Sequence, residues 1–404
     1  MGIKWLINFG LITTPFIFLK GMNLRLPKEI LALGIVFAIG LLGFNAGIKQ
    51  FKNKWLLIFL AFTFVSTYFA PHFGIKLFDK FDITNFWIWQ SQFYLLVYSL
   101  MLIVISGIKF TKKEIELILN IMWICGFVMS LYIFIQYLGF DQFFKITTPG
   151  RNPNINYVTT PLLVGTMGNS TVISPYIAML IPIALYMRKY FFVGCMGTAV
   201  WLCDSKVALL AMIISISCFF ILKLRKTGIF LICFLILSSG IIGFQYKDKI
   251  NYYCQHHNNG RFNVWSNIWK DFTSPPLKDA GSTQKFCMTG FGSGSYPYIH
   301  PIRFKTRFIN AHNDYLEILY NWGIIGLGLF LIALFVMLKD VYRALANYWN
   351  ERIIALLMSF FCIALCALGT FSWQIGTLIF YTVVIVGFLC NDSIKEADFE
   401  KDNE

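Results

Sequence analysis

Residues 312–340 read His312-Asn313-Asp314-Tyr315-Leu316-Glu317-Ile318-Leu319-Tyr320-Asn321-Trp322-Gly323-Ile324-Ile325-Gly326-Leu327-Gly328-Leu329-Phe330-Leu331-Ile332-Ala333-Leu334-Phe335-Val336-Met337-Leu338-Lys339-Asp340. No charged residue falls between Ile318 and Leu338. Wound as a helix at about 1.5 Å per residue, that run covers the roughly 30 Å of a bilayer's hydrocarbon. Similar runs recur along the whole chain, and between polar breaks they predict about twelve helices: 3–19, 30–48, 55–71, 86–108, 117–139, 172–187, 190–203, 207–222, 228–244, 315–338, 353–371 and 373–390. Composition agrees, with 57% hydrophobic and 13% charged residues among 404 and a mean hydropathy of +0.64. An average soluble domain is about 25% charged, so this chain cannot cover a soluble surface with solvated groups. The expected fold is an all-α integral membrane protein. No linker or internal repeat divides it, so residues 1–404 form a single polytopic membrane domain.

The first apolar run, Trp5–Leu19, follows Lys4 as a signal peptide would. No small-x-small cleavage site follows it and further spans come at once, so it is expected to be a retained first helix. Orientation follows from the short loops, since cytoplasmic connections accumulate Lys and Arg. Loops after even-numbered helices carry Lys49/Lys52/Lys54, Lys109/Lys112/Lys113, Arg188/Lys189, Lys223/Arg225/Lys226 and Lys339/Arg343/Arg352. Loops after odd-numbered helices are longer but less densely basic: Lys20/Arg25/Lys28, Lys76/Lys80, Lys145/Arg151 and Lys206. Even-numbered loops and both termini are therefore expected in the cytoplasm. The net charge of +14 reads as this topology signal, not as a nucleic-acid footprint.

That orientation puts two long polar segments outside, about 140–171 and 245–314. The second, between helices nine and ten, is the longest soluble stretch, and loops of that length are usually functional. No G-x-x-x-x-G-K-[ST] loop occurs. Cys125, Cys195, Cys203, Cys218, Cys233, Cys362, Cys366 and Cys390 fall in or beside spans, where a thiol acts as a small hydrophobe. Cys254 and Cys287 share the outer loop and are expected to pair there in an oxidising compartment. No Cys/His metal spacing occurs, and His256-His257 is adjacent, so no metal site is expected.

The residues suited to chemistry cluster where the large loop returns to the membrane. Asp314 and Glu317 have the spacing of a capping box that would start a helix near Tyr315. His312 then precedes a helix N-terminus, whose free N–H groups suit an anion and disfavour imidazolium. A neutral His312 would be able to take a proton; the plainer reading is an interfacial histidine that helps cap the helix. Upstream, Arg261-Phe262-Asn263-Val264-Trp265-Ser266-Asn267-Ile268-Trp269 reads as an interfacial amphipathic helix. The planar fork of Arg261 suits a diphosphate, or equally a lipid headgroup. Gly290-Phe291-Gly292-Ser293-Gly294 reads as a flexible turn, and no paired, Gly/Pro-broken half-helices are evident. Gly165-Thr166-Met167-Gly168-Asn169 leads into the sixth helix. Asp204-Ser205-Lys206 marks the turn before the eighth, where a lysine among apolar helices is either functional or snorkelling beside Asp204.

Several of these stretches together resemble the O-antigen ligase and polymerase superfamily. They are His312-Asn313-x-Tyr315-Leu316 followed by Gly323-Ile324-Ile325-Gly326, the order Arg261, Trp265, Gly290-Phe291-Gly292, His312, and the Gly165–Asn169 and Asp204–Ala208 motifs. The resemblance covers roughly residues 160–335. It implies a metal-independent, cofactor-free membrane glycosyltransferase of the GT-C type, working on the outer face of the bacterial cytoplasmic membrane. Its implied donor is an undecaprenyl-diphosphate-linked glycan; its acceptor is lipid A–core for a ligase or a lipid-linked glycan for a polymerase. Carried over, His312 becomes the catalytic base and Arg261 the diphosphate clamp. A second arginine of the ligase pattern falls here on Lys206, which keeps the charge but loses the bidentate fork; Arg303 or Arg307 would compensate. Asn313, Asn169 and Arg151 complete the expected substrate contacts. The external loop 245–314 would then carry part of the active site. A flippase or other transporter of envelope precursors is the alternative.

Overall fold

The computed structural model describes residues 2–17, 26–69, 83–141, 163–224, 261–273, 288–297 and 310–396. The expected ninth helix (228–244), Arg151, Arg303, Arg307, Cys254 and Cys287 lie outside these residues. The helices are α1 Gly2–Phe16, α2 Leu26–Gln50, α3 Lys54–Phe69, α4 Ile83–Gly107, α5 Lys112–Tyr137, α6 Ser170–Tyr186, α7 Tyr190–Leu202, α8 Lys206–Leu224, α9 Arg261–Thr273, α10 Asp314–Tyr348, α11 Glu351–Cys366, α12 Gly376–Cys390 and the short α13 Asp392–Glu396. Each expected span within the described residues overlaps one of them, although the expected 353–371 runs past the end of α11 at Cys366. By length and composition α2, α4, α5, α8 and α10 are sufficient to cross a membrane, while α3, α6, α7 and α12 are apolar but shorter. Among the described residues there is no strand.

The apolar runs also explain the packing. Every residue of α6 from Val172 to Leu185 is buried, because this helix is hydrophobic on all sides and sits among α5, α7, α8 and α11. Beside it, α12 packs on α4, α2 and α1, and α3 lies along α10. The ends of the bundle differ in chemistry. At one end Lys4 pairs with Glu114 at 2.6 Å, Lys52 with Asp392 at 2.5 Å and Lys223 with Glu351 at 3.0 Å. These pairs join the starts of α1 and α5, the ends of α2 and α12, and the end of α8 to the start of α11. Helix starts and ends therefore alternate as an up-and-down chain requires, and the densely basic loops collect at one end. Lys28, expected in a loop, lies instead in the first turn of α2 at the opposite end. It is buried there, donating to the Pro15 carbonyl at 2.6 Å near the C-terminus of α1, where the helix dipole favours a cation.

One element departs from its sequence reading in a way that shapes the site. α10 is broken at Gly323, which has φ 66° and ψ −170°, so the expectation of an unbroken tenth span is corrected. Residues 288–292 close the break. Phe291 N–H donates to the Tyr320 carbonyl at 3.1 Å and Gly292 N–H to the Asn321 carbonyl at 2.8 Å. Ile325 N–H donates back to the Met288 carbonyl at 3.1 Å. Backbone groups freed inside an apolar helix must find partners, and this turn supplies them. The two chains touch through glycines. A Cβ on Gly323 would stand 2.3 Å from Met288 O, and one on Gly290 (φ 72°) would stand 2.4 Å from the Asn321 carbonyl. The turn read as flexible is a fixed clasp, held also to α3 by Ser66 Oγ donating to the Thr289 carbonyl at 2.7 Å.

Candidate active site

Above the break, α10 begins with Asn313 as N-cap, its Oδ1 accepting the Leu316 N–H at 3.0 Å. The expected Asp314–Glu317 capping box does not form. With the cap one residue earlier, Asp314 is the first helical residue and Glu317 lies beyond the third, out of capping-box register. Glu317 Oε2 instead accepts the Ala311 N–H at 3.2 Å. Asp314, 4% exposed, docks the helix start onto the turn between α11 and α12. Its N–H donates to the Ala367 carbonyl at 2.9 Å, and its carboxylate accepts from Trp373 N–H at 2.9 Å and Gln374 Nε2 at 3.3 Å.

This 367–374 turn is the hub of the site. Arg261 Nη1 donates to the Gly369 carbonyl at 2.8 Å. The His312 ring lies edge-on to Phe371 with centroids 5.2 Å apart. Val207, beside Lys206, packs on Gly369 so closely that a Cβ there would be 2.7 Å from Val207 Cγ2. The starts of α8, α9 and α10 thus converge at the end of the bundle away from the ion pairs. The expected span 353–371 hid this turn: α11 ends at Cys366, and residues 367–374 carry no titratable group to draw notice. What they contribute is backbone carbonyls and aromatic faces. The one available cue was Gly369-Thr370 interrupting two apolar runs.

His312 is half-buried, with its backbone in the left-handed region at φ 52°. Burial first, and then the positive charge of Arg261, lower its pKa to about 4. That value leaves it neutral at neutral pH, through desolvation and a neighbouring cation. Arg261 is half-buried and spends one of its five N–H donors on Gly369. α9 carries it, with Val264 and Ile268 buried against the bundle and Phe262 and Trp269 exposed. Trp265 Nε1 donates to the Ala311 carbonyl at 2.9 Å, tying α9 to the residue before His312.

Lys206 opens α8 and is exposed, after Asp204 in the left-handed region at φ 52°. Asn169 is the N-cap of α6, accepting from Thr171 N–H and Oγ1, each at 2.9 Å. Its preceding turn is held by Gln136, whose Oε1 accepts the Val164 and Gly165 N–H groups at 3.1 and 2.8 Å, and by Thr166 donating to the Pro15 carbonyl. Among the described residues no hydrogen bond joins Asn169 to the 367–374 turn. A cavity of about 370 Å³, whose lining includes Lys52, Asp340, Arg343 and Asp392, lies at the opposite, ion-paired end and shares no residue with this site.

A neutral histidine, a partly desolvated arginine and a lysine thus lie at one end of an apolar helical bundle of the kind an integral membrane protein forms. Residues 191–331, from α7 into α10, match the family described as O-Antigen ligase. That match supports the O-antigen ligase and polymerase superfamily, and it contains Lys206, Arg261 and His312. No curated protein matches the chain.

Proposed function

We propose that the protein transfers a glycan from an undecaprenyl-diphosphate carrier to an acceptor hydroxyl at the outer face of the bacterial cytoplasmic membrane. Twelve helices cross that membrane in this reading, with both termini inside and residues 245–314 outside. The observation that carries it is the convergence of His312, Arg261 and the Lys206 turn on residues 367–374, all three within the matched segment. In the proposed step the acceptor oxygen attacks the anomeric carbon as the bond from that carbon to the diphosphate oxygen breaks. The acceptor proton passes to neutral His312. The departing diphosphate, gaining negative charge, is stabilised by Arg261, Lys206 and the N-terminus of α10. A single displacement inverts the anomeric centre. A double displacement would need a carboxylate nucleophile, and Asp314 and Glu317 are both buried and committed to backbone N–H groups. Arg303, Arg307 and Arg151 are further candidates for the phosphates.

The break in α10 is the feature that would favour a transporter, since half-helices often line a substrate path. Here its free carbonyls are bonded by Phe291 and Gly292 rather than open to a cavity. The test is reconstitution in liposomes with a synthetic undecaprenyl-diphosphate glycan. Release of undecaprenyl diphosphate with glycosylation of lipid A–core indicates a ligase, and elongation of a second lipid-linked glycan a polymerase. Passage of intact donor across the bilayer with no transfer would overturn the enzyme reading.

A further inference from the structure

His312 stands in the left-handed backbone region at φ 52°, which L-residues adopt only at a cost, so something must hold it there. The residue before it is gripped from both sides. Ala311 is fully buried; its carbonyl accepts from Trp265 Nε1 at 2.9 Å and its N–H donates to Glu317 Oε2 at 3.2 Å. Neither grip is needed to build the helix, because Asn313 already caps α10. A carboxylate buried to 7% exposure is a costly acceptor for a backbone N–H, and an indole has only one N–H to give. The indole N–H is spent on that alanine, and Glu317 divides its carboxyl group between the same alanine and Gln374. Trp265 sits one helical turn from Arg261 on α9, so the same contact sets the spacing between Arg261 and His312.

We propose that Trp265 and Glu317 are positioning residues that clamp Ala311 and thereby fix the orientation of His312 beside Arg261. The inference rests on the transferase reading above. The charged group that acts on His312 is Arg261 from α9; Asp314 and Glu317 on α10 are buried carboxyl groups whose pKa values burial raises, that of Glu317 to about 7, and the 367–374 turn adds no titratable group. Releasing the clamp lets the histidine loop open toward water, misplacing the base without removing it.

The experiment compares wild type with Trp265→Phe, which deletes only the indole N–H, and with Glu317→Leu and Glu317→Gln, using the reconstituted transfer assay. Trp265→Phe and Glu317→Leu are expected to lower kcat by about ten- to a hundredfold, as a misplaced catalytic group does, with KM for the donor little changed. Their acid limb is expected to move from about pH 4 toward the histidine's ordinary value near 6.5. Glu317→Gln keeps an acceptor oxygen and is expected to restore kcat and the acid limb. Unchanged kcat in Trp265→Phe, loss through KM alone, or a fixed acid limb would overturn the clamp. Should Glu317→Leu fail to fold, Trp265→Phe and Glu317→Gln still decide the matter. An inactive wild type would overturn the transferase reading and with it the clamp's catalytic role, whereas an active wild type with unaffected variants overturns the clamp alone.

Discussion

Gly323→Ala should be the most damaging single methyl group in α10. The native backbone at φ 66°, ψ −170° lies in a region open almost only to glycine, and forcing another residue into it costs about 1–3 kcal/mol. The new Cβ would also stand 2.3 Å from Met288 O, so the clasp must open. Opening it strands the groups that bond Phe291 to Tyr320, Gly292 to Asn321 and Ile325 to Met288; at about 0.5–1.5 kcal/mol each, with the strain added, the total loss is about 2.5–7.5 kcal/mol. Gly328, five residues on, is the internal control: a Cβ there meets nothing within 4 Å, and Gly→Ala inside a helix gains up to about 1 kcal/mol. Thermal unfolding of both variants in the same detergent reads the difference. A large fall for Gly323→Ala beside an unchanged or raised midpoint for Gly328→Ala is expected. Equal midpoints would refute the clasp.

If neutral His312 is the base, protonation removes activity, so transfer should stay full at pH 5.5 and halve near pH 4; a rate profile halving near 6.5 would contradict its burial beside Arg261. Arg261→Lys should impair transfer because a point charge lacks the bidentate fork, while Lys206→Arg is tolerated and Lys206→Ala is not; equal donor binding by all three would remove both from the diphosphate site. Reporters inserted after Lys113 and after Gly168 should report opposite sides of the membrane, the first cytoplasmic, and a shared side would break the orientation argument.

Much of the helix pattern was legible because bilayer-length apolar runs admit few alternatives. The span predicted at 190–203 is α7, Tyr190–Leu202. Its ends are marked by Arg188-Lys189 and by Asp204. His312 and Arg261 were visible as an ionisable residue at a helix start and an arginine heading an amphipathic helix. What stayed hidden depends on backbone rather than side chains. Thr111 and Glu114 do form a capping box, reciprocal and in register, whereas Asp314 and Glu317 have the same spacing and do not. Only the position of the cap, at Asn313, separates the two cases. Gly323 likewise looked like one small residue among several in α10. That it breaks the helix follows from a tertiary partner, Gly290, far away in the chain. The 367–374 turn acts through carbonyls that every residue carries, and Gly369-Thr370 was only a faint sequence cue to it.

Whether His312 is the base of a glycan transfer is decided by single-turnover release of undecaprenyl diphosphate from a lipid-linked glycan by purified His312→Ala, alongside wild type and with chelator present. Loss of a general base costs about 10² to 10⁴ in rate. A fall of that size is expected with the variant folded, donor affinity retained, and no effect of chelator on the wild type. Release by His312→Ala at the wild-type rate would reduce this histidine to a structural residue at the start of α10.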